Sequence, residues 1–202
     1  MTRQRRFTAP ATAFLLLISA CGADGTGPDD EPEFVMDRIV FNIGHIEVIH
    51  DCDPAWDNPG DFQGYVGIWL ATDTTQGAYQ LVSSSRYTMM FLNSGESASG
   101  GHIRAEGLVP RDPARPVRLQ GVFSELDHDE VDAEAKLGEQ LQWDESRNCW
   151  QIEGACLPTV ADEYHQTWTH HVHTRDDVWN PFNSNDEGCR FYVTFVLRIS
   201  GS

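Results

Sequence analysis

The chain has 202 residues, with 31 aspartates and glutamates against 14 lysines and arginines, so its formal net charge is −17 at pH 7. This length is sufficient for one domain with a sizeable core. A chain this acidic does not bind nucleic acid through phosphate contacts, and anionic lipid headgroups repel it. Nucleic acid is therefore excluded as a partner, and membrane contact requires a lipid or a bridging cation.

The chain begins with a leader that is first basic and then apolar. Arg3, Arg5 and Arg6 precede an apolar run at 11–20 that ends in small residues before Cys21. A basic n-region, a short apolar h-region and a small-residue cleavage site are typical of a secretory signal. Because a membrane span needs about 20 apolar residues, this shorter run predicts a cleaved leader.

Residues 18–21, Ile-Ser-Ala-Cys, resemble the lipobox of bacterial lipoproteins. The resemblance implies that residues 1–20 are a signal peptide and that the chain is cut before Cys21. It also implies that the Cys21 sulfur carries a diacylglycerol, which anchors the protein to a membrane of the cell envelope. Gly22 replaces the aspartate that retains some lipoproteins at the inner membrane, which favours the outer membrane or cell surface.

A polar tether follows the cysteine. Residues 22–33 contain no large apolar residue, so we predict that 21–33 comprise the lipidated cysteine and a flexible acidic tether. Residues 34–202 then form the folded domain. Without residues 1–20, the remaining 11 cations and 31 acids give a net charge of −20.

The cysteines indicate an oxidising compartment. With Cys21 assigned to the lipid, an even number remains: Cys52, Cys149, Cys156 and Cys189. Cys149 and Cys156 bracket six residues, short enough to staple a hairpin, which leaves Cys52 to pair with Cys189. Four cysteines allow three pairings, and a zinc site is the alternative, disfavoured because the chain has no Cys-x-x-Cys pair.

From residue 34 onward, runs of alternating apolar residues separated by turn formers are typical of β-strands. The first run, at 39–48, changes phase at Gly44-His45, which predicts a β-bulge. Only Glu130 to Gln140 could hold a short helix. Further runs lie at 62–70, 81–92, 102–109, 117–123, 140–143, 164–173 and 191–199. About eight strands predict an all-β fold, an antiparallel β-sandwich.

Two acidic clusters, 51–61 and 125–134, each follow a strand-like run, so we expect each to lie in a loop at a strand end. Carboxylates crowded in a short loop repel one another, and a bound Ca²⁺, which takes six to eight oxygens, relieves that repulsion. In the alternative, the loops bind no calcium and their Asp, Asn, Pro and Gly residues are ordinary turn formers.

The acidic clusters and the strand count resemble the C2 domain, an eight-stranded β-sandwich whose loops at one end bind calcium. Asp51 and Asp57 match the two aspartates, six residues apart, of that family's first loop, and Asp127-His128-Asp129 matches the Asp-x-Asp of its third loop. Ala135 stands where the family has a further aspartate. The resemblance implies a Ca²⁺ cofactor and this ligand set, the last two being substitutes: Asp51, Asp57, Asp127, Asp129, Asp53 and Glu134.

Two other groups of residues point to ligands. His165, His171 and His173 would share one face of a strand, where alternate histidines can ligate Zn²⁺ or Cu²⁺, although exposed strand histidines are common. Trp56 and Trp179 lie in polar loops, where exposed tryptophans would form a platform for a sugar ring. This second pattern makes a carbohydrate-binding or carbohydrate-active surface protein the alternative function.

The sequence favours a non-catalytic binding or adhesion module whose protein or glycan partner is unknown. It contains no Gly-x-Ser-x-Gly elbow, no His-Glu-x-x-His motif and no P-loop. Paired carboxylates for glycoside hydrolysis remain open, because the distances between them are not readable from a sequence.

Overall fold

The computed structural model describes residues 34–50, 60–73, 77–127, 130–173 and 189–201, most of which lie in β-strands. In chain order the strands are β1 (Met36–His50), β2 (Gly60–Asp73), β3 (Ala78–Leu92), β4 (Ser97–Ser99), β5 (Arg104–Pro110), β6 (Val117–Asp127), β7 (Glu130–Asp144), β8 (Cys149–Ile152), β9 (Ala155–Cys156), β10 (Thr159–Val160), β11 (Glu163–His173) and β12 (Arg190–Gly201).

These strands form two antiparallel sheets of six strands each. The first sheet has the order β10, β11, β12, β1, and β1 pairs along its other side with both β4 and β5. The second sheet has the order β3, β2, β6, β7, β8, β9. Short strands such as β9 and β10, with two residues each, raise the strand number above the predicted eight.

The two sheets pack face to face through an aromatic core. The Phe191 ring on β12 of the first sheet packs edge-on against Phe62 of β2 and Phe123 of β6, with centroids 5.6 and 5.5 Å away. Phe195 on β12 packs over Gly121 of β6, where a Cβ atom would lie 2.5 Å from its ring. The predicted all-β class and antiparallel β-sandwich are thereby confirmed.

The predicted bulge in β1 is present. The pairing of β1 with β12 shifts between Ile43 and Ile46, so both isoleucines face the core although three residues separate them. His45 donates its backbone N–H to Thr194 Oγ1, 2.6 Å away. A Cβ at Gly44 would lie 2.7 Å from the same oxygen, so the bulge requires glycine there.

The short helix considered at 130–140 is wrong, because this segment belongs to strand β7 and pairs with β6. Ala133, Ala135 and Leu137 are buried at alternate positions, which gives the period of a half-buried strand. Pairing and burial outweigh the helix propensity of the alanines and glutamates.

A disulfide closes the hairpin of β8 and β9. Cys149 and Cys156 are bonded, with Cα atoms 5.8 Å apart, as the sequence predicted. Gly154 in the turn has a φ of 81°, which glycine adopts without strain. Cys189 is buried and disulfide-bonded, whereas its predicted partner Cys52 lies outside the described residues.

A buried carboxylate connects the two sheets. Asp37 of β1 is fully buried and accepts two hydrogen bonds from Arg111, at 2.8 and 2.9 Å. It also accepts the indole N–H of Trp150 on β8 at 2.7 Å. The Arg111 guanidinium lies 4.8 Å from the ring centre of Trp143. Its partnership with Asp37 is the main cause that raises the pKa of Arg111.

We expect Asp37→Asn to reduce the free energy of unfolding by about 3 kcal/mol, because an amide cannot accept all three donated hydrogen bonds and leaves a part-buried guanidinium without its counter-charge. Urea denaturation measures the loss. Glu106→Gln is the matched control, because Glu106 also bonds two arginines, Arg38 and Arg104, but at an exposed site. Equal losses in the two variants would contradict a special role for Asp37.

Candidate functional site

One end of the sandwich collects the strand ends that border the acidic clusters. We call it the acidic end: β1 ends there at His50, β2 begins at Gly60, and β6 ends at Asp127. Asp61 of β2 and Leu126 of β6 are direct register partners. The described strands flanking both acidic clusters therefore meet at one edge of the second sheet.

The first sheet ends at the same place. His173, the last residue of β11, pairs with Arg190, the first residue of β12, and Arg190 also pairs with His50. The contact of Phe191 with Phe62 joins this edge to the start of β2. The strands that flank residues 51–59, 128–129 and 174–188 thus all end at the acidic end.

Most of the predicted site residues cannot be placed. The following lie outside the described residues: Cys21, Asp51, Cys52, Asp53, Trp56, Asp57, Asp129 and Trp179. Their assignments as lipid attachment site, disulfide partner, calcium ligands and sugar platform stay predictions.

The second acidic cluster is not the open loop that the sequence predicted. Asp127 is the last residue of β6 and pairs with Glu130, the first residue of β7. Glu134 lies within β7 as the register partner of Ser124 and forms an ion pair with Lys136. Continuous pairing of β6 with β7 leaves only a tight connection and carries Glu134 away from the strand end.

Sequence reasoning missed Glu125, which is fully buried two residues before the end of β6. Its register partners are Phe62 on β2 and Ala133 on β7, so its side chain belongs to the core face at the acidic end. The signal was present in the sequence, because Glu125 continues the alternation of Leu119, Gly121 and Phe123.

The histidine run has the predicted face arrangement. His165, His171 and His173 pair with Arg198, Tyr192 and Arg190, whose side chains lie on the outer face of the first sheet. Across the described ranges, no three His, Cys, Asp or Glu side chains are grouped closely enough to hold a metal ion. Metal binding by this run stays a prediction.

A cleft of about 380 Å³ lies beside the β7–β8 hairpin and contains two carboxyl groups, Glu139 and Glu153. Burial raises the pKa of Glu139, and the charge of Glu153 raises it further. Gln140, Gln142 and Gln151 line the same cleft. Among the described residues, this is where the open alternative of paired carboxylates finds two acids lining one cleft.

The described part of the chain includes no helix with the length and hydropathy of a membrane span.

Comparisons with known proteins give one finding. No family model matches the sequence, and neither does any curated protein. Among solved structures, the first C2 domain (domain A) of plant Extended Synaptotagmin 1 is similar to this chain, with 11% identity, coverage of 84% of this chain and 98% of that chain, and a TM-score of 0.34. A TM-score this low transfers neither a fold nor a function, so the description of the sandwich depends on its own strand pairings.

His170 gives a prediction on pH. It faces away from the other histidines, with its ring 5.5 Å from Phe195, and burial and then the charge of His171 lower its pKa. A histidine with a depressed pKa in the folded state favours folding above its unfolded pKa of about 6.5 and loses that contribution as pH falls. We expect His170→Gln to lose less stability than the parent between pH 7 and pH 5, measured by urea denaturation. His165→Gln, on the outer face, is the control, and equal pH slopes in parent and His170→Gln would contradict the assignment.

Proposed function

We propose that this chain is an exported, lipid-anchored, non-catalytic binding module whose acidic end binds Ca²⁺. The observation that supports the calcium proposal is the register of β2 with β6, in which Asp61 faces Leu126. This pairing brings the strand ends bordering Asp51, Asp53 and Asp57 next to the strand end that carries Asp127.

Electrostatics makes calcium the expected ion. Carboxylates brought to one end of a sandwich repel one another, and a hard cation that takes six to eight oxygen ligands removes this repulsion. Asp51, Asp53, Asp57, Asp127 and Asp129 provide the carboxylates. Glu134, paired with Lys136 inside β7, is a weaker candidate than the sequence indicated. An extracellular module of this kind needs a Kd on the order of 10⁻⁴–10⁻³ M.

The non-catalytic role is supported by the work that the buried polar groups of the described residues already do. Asp37 binds Arg111 and Trp150, as described above. Asn42 donates to the Ile43 carbonyl, and Asp112 accepts the backbone N–H of Ala114. These side chains stabilise strands and turns and are not arranged around a reacting atom.

Calcium binding is tested by calorimetric titration and by thermal melting of the purified protein. With a Kd near 10⁻³ M, 10 mM Ca²⁺ would stabilise the fold by about 1.4 kcal/mol and raise the melting temperature. We expect Asp51→Asn and Asp127→Asn to abolish this rise, because each removes an anionic ligand. Asp162→Asn is the matched control, because Asp162 lies in the turn before β11, at the opposite end of that strand from His173.

Unchanged melting of the parent protein at 10 mM Ca²⁺, with no heat of binding, would contradict the calcium proposal. A response that persists in both Asp51→Asn and Asp127→Asn would place the ion elsewhere.

The anchor is tested separately. We expect Cys21→Ser to convert the protein from a membrane-associated form into a released one, because the serine hydroxyl cannot form the thioether to diacylglycerol. Fractionation of cells into membrane and soluble pools measures this change, and mass spectrometry of the mature N-terminus identifies the lipid. Membrane association that survives Cys21→Ser would contradict the lipoprotein assignment.

A further inference from the structure

The outer face of the second sheet contains a pocket of about 250 Å³ that none of the predicted ligand residues lines. It lies over β2, β3 and β6, on the side of the sheet that faces away from the core. Its lining residues are Gln63, Gly64, Tyr65, Arg86, Val122 and Ser124.

The pocket exists because Gly67 gives Tyr65 room to lie along the strand. Tyr65, Gly67 and Trp69 alternate on the outer face of β2, and a Cβ at position 67 would lie 2.5 Å from Tyr65 Oη and 3.0 Å from Trp69 Nε1. The Tyr65 ring therefore leans over Gly67, towards Trp69. This leaves space on its other side, above the next outward position, Gln63.

Register places chemically different groups around this space. Tyr65 has Arg86 of β3 on one side and Val122 of β6 on the other, and Gln63 has Ser124 beside it. One aromatic ring and one apolar side chain thus adjoin a guanidinium, an amide and a hydroxyl. A partly apolar pocket with a few convergent polar groups is the usual form of a small-ligand site.

Two of the polar groups have bonding capacity left. The Ser124 hydroxyl is buried, on a residue only 1% exposed, and makes no hydrogen bond within the described part of the chain. Buried hydroxyls are normally bonded, so this one calls for an explanation. Arg86 donates one hydrogen bond to Gln63 Oε1, at 3.2 Å, and no carboxylate of the described residues forms an ion pair with it.

We propose that this pocket binds a saccharide unit that carries a carboxylate, that is, a uronic acid residue of a glycan. The C–H face of a pyranose ring packs on Tyr65 and Val122, since aromatic and aliphatic side chains accept apolar faces. Gln63 and Ser124 bond the ring hydroxyls. The planar guanidinium of Arg86 pairs with the carboxylate through two parallel hydrogen bonds.

Charge favours a uronic acid over a neutral sugar at this position. Arg86 is a cation without a carboxylate partner among the described residues of a chain that has more than twice as many acids as bases. Lys136, the register partner of Val122, adds a second cation on the same face, although Glu134 pairs with it. The net negative charge elsewhere is screened beyond about 8 Å at physiological ionic strength, whereas a contact with Arg86 is not.

This site is independent of calcium and of the predicted sugar platform at Trp56 and Trp179. It lies on a sheet face built from β2, β3 and β6, and the proposal needs neither the acidic end nor the anchor. Its failure and the failure of the calcium proposal are therefore distinguishable.

The test is calorimetric titration of the purified protein with hexamers of galacturonate, glucuronate and mannuronate, and with a neutral glucose hexamer of the same length. EDTA is present throughout, so that calcium neither cross-links the uronates nor contributes to binding. We expect at least one uronate hexamer to bind, with at least tenfold weaker binding of the neutral hexamer.

Two substitutions locate the site. Tyr65→Ala removes the stacking surface and Arg86→Gln removes the counter-charge, so each is expected to weaken uronate binding at least tenfold. Tyr79→Ala is the matched control, because Tyr79 is on the neighbouring strand β3 and stacks with Arg118, outside the pocket. It is expected to bind as the parent does.

Folding is checked by the melting temperature of each variant. Should Tyr65→Ala fail to fold, Arg86→Gln alone decides, because Arg86 is exposed and contributes no buried contact. Three results overturn the proposal: no binding of any uronate hexamer, equal binding of the neutral hexamer, or uronate binding that Arg86→Gln leaves unchanged.

Discussion

The contact of Phe191 with Phe62 and Phe123 is the constraint on which the rest of the molecule depends. It joins the first residues of β12 to the start of β2 and the end of β6, so it fixes one sheet against the other at the acidic end. Buried aromatic contacts of this kind contribute both apolar area and a preferred geometry. The strand ends around the acidic clusters are held in place by this core and not by their own charged residues.

Asp37 stabilises the sandwich by a different kind of interaction. Apolar packing closes the sheets near Phe191, whereas Asp37 brings β1 of the first sheet to β8 of the second through hydrogen bonds to Arg111 and Trp150. Hydrogen bonds have defined directions and apolar contacts do not. The Asp37 network therefore specifies one relative position of the sheets, which apolar packing alone would leave less sharply defined.

Much of the fold could be predicted because the core face of each long strand repeats every second residue. The same alternation revealed the bulge at Gly44-His45, where the phase changes. It failed at β7, where Ala133 and Ala135 occupy the core positions and the intervening residues are mostly charged, so the apolar signal is weak. Alanine and glutamate are also good helix formers, which made the same segment resemble a short helix.

The candidate sites divide along the same line. The clustering of acids at 51–61 and 125–134 is a property of the sequence, and so was visible in it. The pocket at Tyr65 was not, because Arg86 and Ser124 reach it only through the register of three strands. A single sequence does not give that register, since pairing between strands depends on contacts far apart in the chain.

The two-residue strands β9 and β10 have a consequence for how these molecules tolerate crowding. Each of the two sheets ends at one side in a strand only two residues long, Ala155–Cys156 in one and Thr159–Val160 in the other. A long free edge exposes a row of backbone N–H and C=O groups on which a neighbouring chain can add a strand. Edges this short present few such groups, so many copies can stand side by side on one surface without joining their sheets into an aggregate.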